Sequence, residues 1–341
     1  MNGLKTIFII FSLLAFIFEH EICIAGTTTK PKYIWKMADV APDGVGYSIY
    51  LGKTFSNKIN KVTNGDIRLI WYHGCIMGDE EDYIAKIRIN QLQGAGLSTG
   101  GCLMICPEFS VLQLPFLFKN FDEVDYIRIM MRPKFSEMVT KNGFKMLLLV
   151  DQDFDQIYST KYEMKTHEDF KNSKFVTHAG FLEYKMVKAL GASPIPLGFP
   201  EIASAMRAGV IDAGIWPPLW NLGTQLYTLT KHVNPLKWRY SPGIGIVSLK
   251  AWNKLPEKHK IAINKVLRQL EVGLNTMSSR SNSKAYKAMI DYGHLKEVVM
   301  SKDEIEEFKK NLMPIWNEVS GKKFPKKLLD EVIFHLNTYR K

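Results

Sequence analysis

Cysteine is scarce in this chain: four occur in 341 residues, and no two of them form a CxxC pair. The eight histidines are dispersed, without an HExxH motif or a His–Cys spacing typical of zinc, so we expect no metal and no cofactor. A GxSxG elbow and a phosphate-binding loop are missing too, and the glycine pairs at 94–96 and 243–245 are too short for a dinucleotide fingerprint. These absences argue against an enzyme.

Long apolar runs are absent after residue 25. Before it, an uncharged run over 7–18 is followed by small residues at Cys23-Ile24-Ala25, which is typical of a cleaved secretory signal peptide. The run is short for a membrane span, so an uncleaved anchor is the alternative. Lipid attachment at Cys23 is disfavoured because His20 stands where a leucine is expected. We expect residues 1–25 to be removed and the mature protein to be periplasmic.

Three cysteines remain in that mature chain, Cys75, Cys102 and Cys106. An oxidising compartment allows one disulfide, and Cys102 and Cys106 could meet if their segment is helical. The odd number leaves at least one thiol free or paired outside the chain.

Acidic residues are outnumbered, because 45 lysines and arginines face 34 aspartates and glutamates. A basic surface of this kind could favour nucleic acid or anionic lipid. The lysines are scattered, however, apart from a mild cluster within 322–327. We therefore interpret the charge as a solvated basic surface and expect no nucleic-acid partner.

Strand and helix patterns alternate along the chain. Strands are predicted at 33–37, 67–72, 93–98 and 145–150, with helical spacing between the first three. This order predicts an α/β fold with helices flanking the sheets. The length allows two domains with separate cores. We expect 151–156 to cross from the first to the second, and the strand at Ile244–Ser248 to return to the first.

A helical pattern from Pro256 to Met289 is the longest predicted element. It keeps apolar residues at steps of three or four and contains no internal proline. At about 1.5 Å per residue it would be about 50 Å long, which is enough to span two domains.

The stretch from Leu190 to Asn221 combines a turn-rich loop, a helix start and the end of a strand. Pro200 suits the first helical position, and Glu201 faces the positive end of the helix dipole. Ligands of open α/β sheets bind where such loops, helix N-termini and strand ends meet. This stretch is therefore the candidate binding region, and an aromatic plug of the core is the alternative.

Several motifs, in this order, resemble the extracytoplasmic solute receptors of TRAP transporters. They are the loop 38–44, YHGCIMGDEE at 72–81, LQLPFLF at 112–118, HEDFK at 167–171, LGASPIP at 190–196, FPEIASAMRAGVID at 199–212, YSPG at 240–243 and WNKLP at 252–256. The resemblance implies a periplasmic-binding-protein clamshell of two lobes, with mixed sheets, flanking helices and one long helix shared by both. Lobe 1 would comprise 26–153 plus 241–272, and lobe 2 would comprise 154–240 plus 273–341.

The resemblance also implies what the protein does. Solute binds between the lobes, the lobes close, and the closed form docks on the membrane subunits of a TRAP transporter. Closure is then a population shift driven by contacts that exist only when both lobes meet. Some subfamilies are associated with a tetratricopeptide-repeat protein, which would be a further periplasmic partner.

The chain departs from the family where relatives grip a carboxylate. The family pattern places an arginine at Val176, an asparagine at Trp216 and often a second arginine at Asp155. A buried carboxylate without a matched cation is strongly penalised, so we predict an apolar or amphipathic solute. The predicted contacts are Val176, Trp216 and Trp220, with Phe154, Phe181, Tyr184 and Tyr240 as further neighbours, and Glu80 and Asp39 from loops that often touch solute in the family.

Two alternatives remain open. A small carboxylate could bind through a non-standard cation, for which Lys174, His178, Lys185 and Arg207 are the candidates. Alternatively, the fold could serve a structural or interaction role without transport, because the usual ligand positions are replaced.

Overall fold

The computed structural model describes residues 30–341, so the predicted signal peptide and Cys23 lie outside the described residues. In this range the chain forms eleven strands. They are β1 (Tyr33–Ala38), β2 (Ile67–Tyr72), β3 (Gly94–Leu97), β4 (Phe144–Phe154), β5 (Gln156–Ser159), β6 (Lys174–Thr177), β7 (Ser193–Pro196), β8 (Ala213–Trp216), β9 (His232–Asn234), β10 (Tyr240–Ser248) and β11 (Lys296–Glu297).

The helices flank these strands. They are α1 (Tyr47–Ile49), which continues through a π-helical turn (Tyr50–Phe55) into α2 (Ser56–Val62), then α3 (Glu80–Arg88), α4 (Thr99–Ile105), α5 (Phe121–Lys141), α6 (His167–Lys171), α7 (Phe181–Ala189), α8 (Ile202–Arg207), α9 (Pro218–Gly223), α10 (Leu249–Asn253), α11 (Glu257–Asp291), α12 (Lys302–Leu312), α13 (Ile315–Val319) and α14 (Lys326–Tyr339). Short 3₁₀ turns occur at Pro107–Gln113, Phe199–Glu201 and Leu226–Thr228.

The first sheet has five strands in the order β2-β1-β3-β10-β4. Strand β1 pairs in parallel with β2 and β3, whereas β10 runs antiparallel to β3 and β4. Every residue of β10 is buried, as expected for a largely apolar strand at an interior position of the sheet. The predicted return of this segment to the first domain is confirmed.

The second sheet has six strands in the order β11-β9-β5-β8-β6-β7. Strand β5 is antiparallel to β8 and β9, and β6 is parallel to β7 and β8. The chain passes from β4 of the first sheet to β5 of the second through Asp155, which confirms the predicted crossing at 151–156. Next to this crossing, Asp153 has φ of 101°, a conformation that favours glycine.

Helix α11 is 35 residues long and packs on both lobes, as predicted. On the first sheet, Asn275 accepts from the Asp151 amide at 2.8 Å and donates to the Leu149 carbonyl at 3.2 Å. On the second lobe, Asn282 accepts from the Leu219 amide at the start of α9, also at 2.8 Å. These hydrogen bonds from one helix connect the two lobes.

The C-terminal helices lie against elements attached to both sheets. Helix α14 packs on α5, and the Arg340 guanidinium pairs with Glu123 at 2.7 Å. Phe308 of α12 contacts Trp238, which lies between β9 and β10, with ring centroids 5.4 Å apart. The residue-level division into lobes remains a prediction.

The disulfide considered between Cys102 and Cys106 is not formed. In the part of the chain that the structure describes, all three cysteines are free. The Cys106 thiol lies 3.2 Å from a Glu108 carboxylate oxygen, and burial holds the pKa of the Cys102 thiol well above its ordinary value. Over residues 30–341, no helix combines the length and the apolar character that crossing a bilayer requires.

Candidate functional site

A cavity lies between the two sheets, where β1 and β3 of the first and β6 and β8 of the second end. It contains about 940 Å³ of empty space, counting its open mouth. Residues directly after each strand line it: Asp39 after β1, Ser98 after β3, His178 after β6 and Pro217 after β8. This is the position at which α/β sheets bind ligands.

The lobes touch each other across the mouth of this cavity. Asp79, the N-cap of α3, accepts a hydrogen bond at 3.0 Å from the amide of Phe199 in the second lobe. At a second contact between the lobes, the Leu219 side chain lies so close to Gly46 that a β-carbon there would be 2.8 Å from a Leu219 methyl group. Gly46 also has φ of 42°, so both space and backbone favour glycine. The structure therefore shows the clamshell closed.

Four aromatic rings form one wall of the cavity, and we call them the aromatic box: His178, Phe199, Trp216 and Trp220. The indole of Trp220 lies 5.2 Å from both Trp216 and Phe199, and the His178 ring stacks on it at 6.2 Å. The Trp216 indole donates to Asn221 at 2.9 Å, which fixes its orientation. The box presents apolar faces, and two of its ring nitrogens, Trp220 Nε1 and His178 Nδ1, have no hydrogen-bond partner among the described residues.

The sequence around β8 explains how Trp216 reaches this position. Its ring lies across Gly214, where a β-carbon would be 2.0 Å from the indole, so only glycine fits. Val176 on the neighbouring strand would touch the same β-carbon at 2.7 Å. Val176 therefore packs behind Trp216 and not against the cavity.

A buried ion network stands behind the box. The Arg239 guanidinium donates to Asp155 at 2.7 Å and to Glu183 at 2.6 Å, and all three side chains are almost completely buried. Burial raises the pKa of Asp155 despite the opposing charge of Arg239. Burial acts on Glu183 in the same direction, but the charges of His178 and Arg239 outweigh it and hold its pKa below the usual value.

Only Asp155 of this network lines the cavity, and its Oδ1 has no hydrogen-bond partner among the described residues. Arg239 is 1% exposed and is occupied by both carboxylates. Within the described chain, neither lysine nor arginine lines the cavity.

A second acidic group at the cavity is Asp39, whose carboxylate pairs with His73 at 2.8 Å and accepts from the Ala41 amide at 3.0 Å. Burial raises the pKa of Asp39, although His73 opposes the shift. Burial disfavours protonation of His73, but the hydrogen bond and charge of Asp39 prevail and raise its pKa. The pair is thus satisfied internally.

The structure brings three of the predicted site residues to the cavity: Asp39, Trp216 and Trp220. Glu80 lies behind the wall, where its carboxylate accepts from the Ser98 amide at 2.5 Å and the Gly101 amide at 2.8 Å and fixes the start of α4. Its role in the structure is that of a helix-supporting acceptor, not a cavity-lining group.

The other predicted neighbours also lie outside the cavity lining. Phe154 and Tyr240 pack on each other in the core at 6.1 Å. Phe181 lies under the Lys323 ammonium at 4.7 Å, and Tyr184 is 40% exposed on α7. Phe154 and Tyr240 therefore serve core packing, as Val176 does, whereas Tyr184 lies largely in solvent.

Of the cations considered for a carboxylate, only His178 lines the cavity. Lys174 donates to the Gly209 carbonyl, Lys185 pairs with Glu318 at 2.7 Å, and Arg207 is exposed at the end of α8. Sequence reasoning missed Phe199, Leu219 and Asp155 as cavity residues. Phe199 could have been found, since it directly precedes the Pro200 helix start, whereas Leu219 depends on lobe closure.

The geometry agrees with comparisons to known proteins. The family model described as bacterial extracellular solute-binding protein, family 7 (DctP), matches residues 37–323. The chain belongs to this family. The predicted resemblance to solute receptors is therefore confirmed. The DctP family consists of solute-binding receptors and is not a class of enzymes.

Relatives in the DctP family carry several solute names. The chain is 24% identical over 294 residues to the C4-dicarboxylate-binding periplasmic protein DctP of Rhodobacter capsulatus, covering 85% of this chain and 86% of that protein. It is 21% identical over 273 residues to the sialic acid-binding periplasmic protein SiaP of Vibrio cholerae, covering 78% and 82%.

Solved structures confirm the two-lobed α/β fold. The sugar acid binding protein DctPAm of Advenella mimigardefordensis, in complex with galactonate, matches with a TM-score of 0.84 at 20% identity, covering 91% of this chain and 99% of that one. A TRAP periplasmic solute binding protein of Sulfurospirillum deleyianum with bound succinate matches with a TM-score of 0.81 at 19% identity, covering 89% and 99%.

Proposed function

We propose that this DctP-family protein captures an apolar or amphipathic solute in the periplasm by closing its lobes, and delivers it to the membrane subunits of a TRAP transporter. The observation that carries the proposal is the cavity lining: an aromatic box, aliphatic side chains, two carboxylates and the neutral polar side chains of Tyr47, Ser98, Thr99, Gln152 and Ser241, with no lysine or arginine among the described lining residues. A tetratricopeptide-repeat protein is a further proposed partner in delivery.

The energetics favour this solute class over an anion. Burying roughly 200–300 Å² of apolar solute surface at about 25 cal/mol per Å² gives on the order of 5–7 kcal/mol before ordering costs. That corresponds to micromolar affinity at best. A carboxylate buried in the same cavity would lack a matched cation and would be penalised by several kcal/mol.

A small carboxylate is the second candidate, and the solved relatives favour it, since they contain bound galactonate and succinate. In this chain its cation would be His178, the one candidate on the cavity wall. His178 Nδ1 lies 3.6 Å from a Glu183 oxygen, so Glu183 would compensate much of a positive charge there.

The decisive experiment is organic extraction of the purified protein with native mass spectrometry, followed by thermal shift with the recovered compounds. We expect a co-purified apolar or amphipathic molecule that stabilises the protein. Trp220→Ala should weaken this stabilisation because it removes a wall of the box, whereas Tyr184→Ala on the exposed face of α7 should not.

A parallel panel of short dicarboxylates and keto acids tests the second candidate. Clear stabilisation by any of them would refute the apolar proposal. A cavity that binds nothing at any concentration would instead favour a structural or interaction role.

A further inference from the structure

One carboxylate oxygen of Asp155, a residue that lines the cavity, has no hydrogen-bond partner among the described residues. Asp155 is 1% exposed, and its Oδ2 takes two N–H groups of Arg239, both at 2.7 Å. Its Oδ1 is buried, faces no donor among the described residues, and belongs to a side chain that lines the cavity. Buried carboxylate oxygens are rarely left without a donor, because desolvation is then uncompensated. A donor on the solute would satisfy it.

The charges around this oxygen are unbalanced. Asp155 and Glu183 together carry two negative charges, and Arg239 supplies one positive charge. His178, 3.6 Å from Glu183, balances this network when it is protonated and leaves it at −1 when it is neutral, and no lysine or arginine within the described lining offsets that charge. In a cavity lined mostly by apolar side chains, an uncompensated negative charge attracts a cation.

The aromatic box supplies a second feature that suits a cation. The faces of Trp216 and Trp220 are tilted at 55° to each other with centroids 5.2 Å apart, and His178 stacks on Trp220. Organic ammonium groups are stabilised over such faces, most strongly over tryptophan. His178 links the two features, since it also lies beside Glu183 of the ion network.

We propose that the solute carries a protonated amine on an apolar body. The ammonium N–H donates to Asp155 Oδ1, the charge lies against the aromatic box, and the apolar body contacts side chains such as Val40, Pro42 and Leu219. This inference rests on the proposed function and narrows its solute class.

A matched series of phenethylamine, phenethyl alcohol and hydrocinnamate tests it by calorimetry on the full mature protein. These probes share one apolar body and differ in the charge of the polar end. We expect the amine to bind at least tenfold more tightly than the alcohol, and the carboxylate to bind most weakly.

The outcomes separate the two proposals. Equal affinity for amine and alcohol overturns the cation inference and leaves the apolar cleft standing. Tightest binding by hydrocinnamate overturns both, and no binding by the amine at millimolar concentration overturns the cation inference.

A substitution at Asp155 tests whether this residue causes the preference for the amine. Asp155→Asn should reduce the amine-to-alcohol affinity ratio to below about threefold, while Glu168→Gln, which changes an exposed carboxylate on α6, should keep the wild-type ratio. If Asp155→Asn fails to fold because Arg239 loses a partner, the series on the wild-type protein decides alone. An unchanged ratio in a folded Asp155→Asn variant contradicts the assignment.

Discussion

Replacing Arg239 by methionine tests the buried ion network independently of any solute. The variant keeps an unbranched side chain of similar length but removes the hydrogen bonds that the guanidinium donates to Asp155 and Glu183, which measure 2.6–2.7 Å. Both carboxylates then stay almost completely buried without their cation.

The expected magnitude follows from that burial. Breaking a buried ion pair by removing one partner costs about 3–5 kcal/mol, because the remaining charge is left uncompensated. For a protein of this size that loss lowers the melting temperature by about 5–8 °C. Arg207→Met, at an exposed position on α8, is the matched control and should change stability by less than about 0.5 kcal/mol.

The stability lost in the Arg239→Met variant should depend on pH. In the wild type, the pKa of Glu183 is held below its ordinary value, so its ionised form stabilises the fold above the unfolded pKa, and this contribution is lost as pH falls through the folded pKa. In the variant, Arg239 no longer opposes the effect of burial, so the folded pKa of both carboxylates rises relative to the wild type. Protonation of these carboxylates at low pH then reduces the destabilisation of the variant. The difference in free energy of unfolding between wild type and variant should therefore widen from pH 5 to pH 8.

The assay is thermal and urea unfolding followed by tryptophan fluorescence, with Trp238 adjacent to the substituted residue. A loss below about 1 kcal/mol at pH 8, or a deficit that narrows as pH rises, would refute the electrostatic reasoning.

Three further predictions concern the contact between the lobes, the backbone at Asp153 and the reactivity of the cysteines. Asp79→Asn keeps a capping side chain for α3 but removes the carboxylate acceptor of the Phe199 amide, so the free energy of lobe closure should become less favourable by about 1–2 kcal/mol. Energy transfer between dyes on the two lobes should then report a more open protein. The exposed control Asp303→Asn should leave the energy transfer unchanged. Asp153→Gly should melt above Asp153→Ala, because both lose the carboxylate and only glycine relieves φ of 101°; the reverse order would exclude strain there. Burial raises the pKa of Cys75 to about 12, so native alkylation at pH 8 should be slow, and the described cysteines should react fully only in denaturant.

The sequence predicted the framework of this fold because its signals are local. Strand β2 at Ile67–Tyr72 begins and ends where the pattern predicted, and α11 differs from the predicted helix by only one or two residues at each end. A capping box at Ser301, another local feature, starts α12. Such features depend on residues close in sequence, which a single chain displays directly.

The cavity was less predictable because its wall is made by contacts between distant segments. Aromatic residues such as Phe154 and Tyr240 have the composition of a ligand site but pack in the core. Asp155 was recognised as a replaced position, yet its importance depends on Arg239, 84 residues later, which occupies one of its oxygens. No periodicity reveals that pairing.

The interior position of β10 has a consequence for how the chain reaches this fold. The strand at Tyr240–Ser248 inserts between β3 and β4, so the first sheet is incomplete until the whole second-lobe segment between β4 and β10 has been synthesised. Contacts of such long sequence separation form slowly. The nascent polypeptide should therefore remain incompletely folded, and competent for translocation, through most of its synthesis. A fragment truncated before Tyr240 should not form a stable first lobe.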